Sequence, residues 1–332
     1  MNGKLNIMTY NVSGIPVLGD NQGTQREFKG KARMKKIGEM LCRESDCDII
    51  GAEEDFNNHQ ALACAMAKEY KYQSFSKGGV PYGDGLNIFS KKPVYNVKRT
   101  PWRKCFGYFA GANDRLAEKG ILSSVIEIEK GVFIDFYIIH TDAAKDPKSL
   151  IARKDNFLQL SEMINSRKED RAIIVIGDYN TTFCLNGADD PYTNLVKKAG
   201  LTDSWAEIHN GGNCDYNSGK EWNPTLKETL DRVMFKSGGG VELKVESYEY
   251  IEFTNENGET YTDHVSTRAC LSYEVTGEVK KPEKLEIPKP ENKLWQNLKV
   301  TCFAVKTLVM GILHLHELIY HHKYKDITDY LP

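Results

Sequence analysis

Runs of β-branched and aromatic residues follow one another with no helix between them around residues 120–140 and again around 230–275. Such runs pair most simply as antiparallel neighbours, because a parallel pair needs a crossover of a dozen or more residues. A doubly wound sheet, which alternates strand and helix throughout, is therefore excluded. Strands are expected at Leu5–Val12, Asp48–Ala52, Lys71–Ser76, Leu86–Ser90, Leu122–Ile128, Val132–His140, Ala172–Gly177, Leu230–Phe235, Val241–Phe253 and Ser266–Val275. Helical periodicity falls at about Arg33–Arg43, His59–Glu69, Ser149–Ser166 and Tyr192–Ala199. The fold class expected is α/β, with two mostly antiparallel sheets packed together and helices outside.

Composition narrows the function classes. The chain has 332 residues, of which 40% are hydrophobic and 27% charged, which excludes a disordered or collagen-like chain. Lys and Arg number 44 against 46 Asp and Glu, for a net charge of −2. That balance provides no whole-molecule attraction to nucleic acid or to an anionic membrane, although a local basic patch acts independently of the total. Eight cysteines occur without a CxxC pair, which argues against a zinc ribbon or a thioredoxin-like motif. They are expected to be reduced and mostly buried, or to form one or two disulfides in an exported form. The start, MNGKLNIMTYNV, enters a strand directly and shows no signal peptide. A cytoplasmic or peripheral-membrane location is expected, or export if a leader has been removed.

Several strands end in polar groups, where a rigid base projects catalytic side chains. TYNV ends with Asn11 near its close, DIIGAEED carries Glu54, VIGDYNTT carries Asp178 and Asn180, and YTDHVS carries Asp263 and His264. FYIIHTDA adds His140, and LDRVMF places Asp231 near the start of a strand. Singly, each is explained as a turn, cap or structural residue. Jointly, carboxylates, amides and two histidines at strand ends describe a hydrolase site built around a hard metal ion. Mg²⁺ takes one or two carboxylates plus waters and phosphate oxygens, and a neutral His held by a carboxylate takes the proton of an attacking water.

TYNV, the Glu after DIIGAE, GDYNTT and DHV, in that order, resemble the endonuclease/exonuclease/phosphatase superfamily over about residues 4–277. The resemblance implies a four-layer α/β sandwich and a metal-dependent phosphodiesterase. It implies that Glu54 binds the essential Mg²⁺, with Mn²⁺ as a substitute, and that Asn11 and Asp263 lie near the same ion. Asp178 and Asn180 then position the attacking water and a phosphate oxygen. His264 is the general base, Asp231 fixes its tautomer, and His140 donates to the phosphoryl oxygens. Glu53 stands where the superfamily commonly has Gln, so it alters local charge or competes for metal.

The branch is less determined. VIGDYNTT lacks the Trp and Arg that flank this motif in inositol-polyphosphate phosphatases. The segment 102–120, with Asp114, Leu116, Ala117, Lys119 and Gly120, looks more like the sphingomyelinase-like branch, although a helix turn ended by a glycine cap explains it equally. Tyr82, Trp102, Phe106, Tyr108 and Phe109 line a lipid-headgroup site or belong to the core. The basic runs Lys29–Lys36 and Lys91–Arg103 are a nucleic-acid track or solvated faces. A phospholipid is favoured over nucleic acid as the phosphodiester substrate, with a nuclease as the alternative and a non-catalytic binding scaffold as a third.

Three segments are expected: a catalytic domain at 1–279, a Pro-, Lys- and Glu-rich linker at 280–293, and an amphipathic helix and tail at 294–332. On a helix, Leu294, Trp295, Leu298, Cys302, Val305, Val309, Ile312 and Leu313 form one stripe, and Lys299, Lys306, His314 and Glu317 lie on the opposite flank. Its uncharged stretches are far short of the ~20 residues of a membrane span. It either docks on the domain, pairs with another copy, or lies in a membrane surface through residues 294–320.

Overall fold

In β1 (Asn2–Asn11), side chains alternate between two cores. Leu5 and Ile7 share one with Ile138 and Ile176; Met8, Tyr10 and Val12 share the other with Met34, Ile37 and Leu41. The first core fills the space between two sheets, and the second lies between one sheet and the helices outside it. The computed structural model that shows this describes residues 1–15, 29–109, 113–181, 190–212 and 230–320.

The other strands are β2 (Ile49–Glu53), β3 (Tyr72–Gln73), β4 (Asn87–Ser90), β5 (Val94–Pro101), β6 (Gly120–Glu129) and β7 (Val132–His140). They continue with β8 (Ile173–Asp178), β9 (Thr202–Asp203), β10 (Asp231–Lys236), β11 (Val241–Ile251) and β12 (Ser266–Val275). One six-stranded sheet runs β11-β12-β1-β2-β4-β3 and the other β5-β6-β7-β8-β10-β9. Only β1–β2 and β7–β8 pair in parallel. Each of those crossovers carries a helix, α1 (Gly30–Glu44) and α3 (Pro147–Asn165). This is the expected sandwich of two mostly antiparallel sheets with helices around them.

The sheets approach closely because Gly51 of β2 has no side chain. A Cβ there would stand 2.5 Å from Ile176 Cδ1 and 2.9 Å from Ile138 Cδ1. Ile7, Ile49, Ile138 and Ile176 are fully buried in this layer, each contributing about 1.5–3 kcal/mol relative to exposure.

Some local expectations are corrected. Lys71–Ser76 is a strand only at Tyr72–Gln73. β5 was not expected; its lysine, arginine and asparagine are tolerated because it is an edge strand, bulged between Tyr95 and Lys98. Tyr192–Lys198 is a π-helical turn rather than a regular helix. A short α4 (Ser204–His209) adds to α2 (His59–Met66). Cys42, Cys47, Cys64, Cys105, Cys270 and Cys302 are free, and of these only Cys47 is buried; Cys184 and Cys214 lie outside the described residues.

Beyond β12 the chain runs extended and is pinned by Asn96. Asn96 donates from its backbone and side-chain amides to the carbonyls of Glu286 and Lys284, and accepts from the Glu286 N–H, each at 2.8 Å. Asn292 Oδ1 then caps α5 (Lys293–Leu313), accepting from Leu294 N at 2.9 Å. No helix among the described residues is long and apolar enough to cross a membrane.

Candidate active site

Register alone gathers the polar strand ends. β1 pairs Asn11 with Glu53 of β2, β7 pairs His140 with Asp178 of β8, and β10 pairs Asp231 with the same Asp178. Thr9 pairs with Thr267 of β12, so His264 stands just beyond that strand's start. Asn11, Glu54, His140, Asp178, Asn180, Asp231 and His264 therefore meet at one end of the sandwich.

Asp178 Oδ2 is the hub. It accepts from Asn11 Nδ2 at 3.1 Å, and it lies 3.4 Å from His140 Nε2 and 3.8 Å from His264 Nε2. Its other oxygen accepts from Asn180 N at 2.9 Å. Burial opposes the charge on Asp178, but His140, His264 and Lys119 outweigh it and hold the carboxyl below its ordinary value. Asn180, left-handed at φ 48°, donates its side-chain amide to Thr141 O at 3.2 Å. It braces Asp178 through the backbone.

Glu53 and Glu54 are separated by strand geometry. Period-two alternation sends Glu53 between the sheets, where Oε1 accepts from Thr9 Oγ1 at 2.7 Å. Burial, then the charge of Asp231, push its pKa far up, which favours the neutral acid at this position. Glu54 leaves the strand at φ 55°, which turns its side chain back into the site. Its Oε1 lies 3.9 Å from His140 Nε2. Burial raises Glu54, and Lys119 pulls it back. A non-glycine residue in this conformation costs roughly 1 kcal/mol or more, and such strain concentrates at functional sites.

The two histidines are tuned in opposite directions. Burial and then the Lys119 charge hold His140 well below its ordinary value, against the pull of Asp178, which favours the neutral ring. His264 Nδ1 pairs with Asp231 Oδ2 at 2.8 Å. Burial works against its charge, but Asp231 and then Asp178 and Asp263 raise His264 to about 11. Asp231 is raised to about 6, by burial first and against the pull of His264. Asp263 is exposed and accepts the Ser13 hydroxyl proton. Its charge acts on His264 and Asp231, so the structure groups it with that pair.

Other residues shape the site without having been singled out for it. Lys119 is buried, 2.5 Å from Asp114 Oδ1, and donates to Thr141 O at 3.3 Å. Burial pulls it down, but Asp114 and Glu54 outweigh that and keep it charged. The spacing of Asp114 and Lys119 was the available signal. Gly120 is no helix cap but the first residue of β6, where a Cβ would meet Thr100 O at 2.3 Å. Arg33, within a run read only as basic, is buried and donates to Val12 O and Tyr261 O at 2.9 Å and to Ser13 O at 2.7 Å. It ties the end of β1 to the loop bearing His264.

The aromatic group is dispersed. Trp102 is buried and donates to His140 O at 2.7 Å, whereas Tyr82 packs on Phe303 and Tyr108 on His314. Phe106 packs on Tyr320, and Lys148 lies over both rings. The basic runs are largely engaged: Lys35 and Lys36 lie within 3.5 Å of Glu39, Arg103 pairs with Asp155 and Glu162, and Arg99 pairs with Asp84.

The donor set of carboxylate and amide oxygens with imidazole fits a hard divalent cation. Asp178, Asp231 and His264 each offer an atom within 4.8 Å of the others, and Asp231 Oδ1 is buried with no hydrogen-bond partner.

Comparison with known proteins agrees with this geometry. The chain is 28% identical over 283 residues to a sphingomyelinase of Mycobacterium tuberculosis, covering 80% of this chain and 52% of that protein. It thus spans about half the length of the curated relatives it matches. The beta toxin of Staphylococcus aureus, in a mutant form with bound magnesium ions, shares the fold at a TM-score of 0.54 and 17% identity, over 80% of this chain and 99% of that one. Danio rerio TDP2 in complex with a single-strand DNA product shares it at 0.57 and 15%, over 81% and 98%. The family model that describes the endonuclease/exonuclease/phosphatase family matches residues 8–264. With that match across most of its length and the two-sheet fold in agreement, the chain belongs to the endonuclease/exonuclease/phosphatase family.

Proposed function

We propose that the protein is a Mg²⁺-dependent phosphodiesterase that acts on a phospholipid. The observation that carries the chemistry is the convergence of two imidazoles and an amide on Asp178 Oδ2, with Glu54 facing them. Glu54 is the principal metal ligand in this reading, since Asp231 is already committed to His264. Asn11 orients Asp178, and Asp263 sets the charge around His264. A Mg²⁺ ion, or Mn²⁺ as a substitute, held by Glu54 would supply positive charge against the carboxylates and polarise a phosphoryl oxygen.

His264 keeps its Nδ1 proton on Asp231 and presents Nε2 to a water oriented by Asp178. With the negative field balanced, Nε2 is free to take that water's proton as it attacks phosphorus in line. His140, neutral and with Nε2 facing the cluster, donates to the phosphoryl oxygen as charge develops. Lys119, fixed by Asp114, adds a buried positive charge to the same side.

Support for a lipid substrate comes from the sphingomyelinase relative and from the engagement of Arg99 and Arg103 in ion pairs, which leaves them poorly placed to track a phosphate backbone. The nuclease reading draws on the fold shared with the DNA-bound neighbour. The deciding experiment assays one preparation on sphingomyelin vesicles and on supercoiled plasmid, with Mg²⁺ and with EDTA. Vesicle lipid hydrolysis that EDTA abolishes is expected. Plasmid cleavage without lipid turnover replaces the substrate with nucleic acid, and no turnover of either in Mg²⁺ or Mn²⁺ leaves a binding scaffold.

A further inference from the structure

The helix α5 is mounted with its apolar face outward. Gln296, Val300, Phe303, Thr307 and His314 face the domain, a seam at the three-four spacing of one helix side. Gln296 Nε2 donates to Ser76 O at 2.8 Å, and the rings of Phe303 and His314 pack on Tyr82 and Tyr108. Just past the helix, the buried Glu317 carboxylate accepts from Tyr108 N at 2.6 Å and Phe109 N at 3.2 Å. Tyr320 closes the attachment, donating to Asp146 Oδ1 at 2.8 Å. The opposite arc carries Leu294, Leu298, Val305, Leu308, Val309 and Ile312, each about half or more exposed. Monomeric proteins seldom leave so continuous an apolar surface open to water.

The charges around this arc point to what covers it. Residues 293–313 contain Lys293, Lys299 and Lys306 and no acidic residue. Glu291, before the helix, pairs with Lys299. Lys299 and Lys306 lie together on one flank of the apolar arc, where long stems let ammonium groups reach outward beside buried hydrocarbon. A second copy laid on this face would bring lysine flanks together with no acid on the helix to answer them. A phospholipid bilayer offers acyl chains to the arc and phosphates to the lysines.

The attachment is also continuous with the catalytic end. The loop gripped by Glu317 is bonded by Asp114 N to Phe106 O at 3.2 Å and by Arg115 N to Gly107 O at 3.0 Å. Asp114 in turn holds Lys119 beside Glu54 and Asp178. We propose that the outward face of α5 is an interfacial membrane-binding surface that lies in the headgroup region of a phospholipid bilayer and holds the catalytic end against it. The choice of a bilayer draws on the phospholipid reading above; the exposed, lysine-flanked arc stands independently of it.

The test uses the full chain and vesicles of phosphatidylcholine in EDTA, so that binding is read apart from turnover. The wild type is expected to co-sediment with vesicles, and Val305→Glu/Val309→Glu to lose partitioning at least about tenfold. A second pair, Leu294→Glu/Leu298→Glu, should do the same. Both should keep the wild-type melting temperature and hydrolyse a soluble short-chain phosphodiester at the wild-type rate. A wild type that ignores vesicles, or variants that still bind them, overturns the proposal. So does a lipid-free dimer that the substitutions dissociate, which would make a second copy the occupant. If vesicle binding behaves as expected while no phosphodiester is cleaved, the membrane surface stands and the catalytic reading fails.

Discussion

In α1, Met34, Ile37 and Leu41 turn inward while Lys35 and Glu39 face water; in α5, Gln296, Thr307 and His314 turn inward while Leu294, Leu308 and Ile312 face out. Both helices are amphipathic and both are attached to the same sandwich. A helix that stabilises a domain buries its apolar stripe, and packing of that stripe supplies most of its stability. A helix held by a glutamate, a glutamine and ring edges has its apolar area left over for something else. Amphipathicity in the sequence therefore identifies a helix with two faces, and only the structure tells which face the domain takes.

The sharpest way to break the division between working end and scaffold is at the base. His264→Ala should lower turnover by about 10²- to 10⁴-fold while leaving the folded structure intact by circular dichroism. A variant that keeps a third of the rate removes His264 from the reaction. Asp231→Asn should act in the same direction but less. The comparison of helices is tested by one substitution made twice. Leu41→Ala, at 1% exposure, should cost about 2–5 kcal/mol in denaturant unfolding. Leu308→Ala, at 67%, should stay within about 0.5 kcal/mol. Equal costs would mean that α5 is part of the core after all.

The neighbouring glutamates form a finer pair. Glu54→Gln should reduce activity and recover part of it at high Mg²⁺, because the shape remains and the charge is lost. Glu53→Gln should be nearly silent, since it replaces a neutral acid bonded to Thr9 with a neutral amide. A large loss there would place a second charge in the working site. The smallest effect concerns pH. His264 is raised to about 11 from an ordinary value near 6.5, so the stabilisation that Asp231, Asp178 and Asp263 give its charged ring is lost from the metal-free fold as pH climbs from 6.5 toward 11. In EDTA, the wild-type melting temperature should fall by a few degrees over that range more than that of His264→Gln, and parallel curves would refute the assignment.

What was legible in the sequence follows from range. Strand ends such as GDYN and TDHV announce themselves because an apolar run stops at a polar group, and their convergence follows once the strands are paired. Glu54 over Glu53 was readable only through resemblance, because the physical cause is one left-handed residue after β2. Arg33 was hidden in a basic run, since burial against distant partners has no local signature, whereas Lys119 stood in an element visible through resemblance and only its burial beside Glu54 and Asp178 was not. β5 was missed because an edge strand need satisfy only one neighbour and tolerates charge.

β1 lies inside its sheet, hydrogen-bonded to β2 on one side and to β12 on the other, and Arg33 joins its end to Tyr261. During synthesis, β1 thus waits for a strand that is made long after it. At ~5–20 residues per second, on the order of 10–50 s pass before residue 264 exists. Over that interval Glu54 and then Asp178 are made before His264, and β1 keeps the edge that β12 will fill. The cluster around Asp178 is therefore complete only once the segment that carries His264 has been made and β12 has paired with β1.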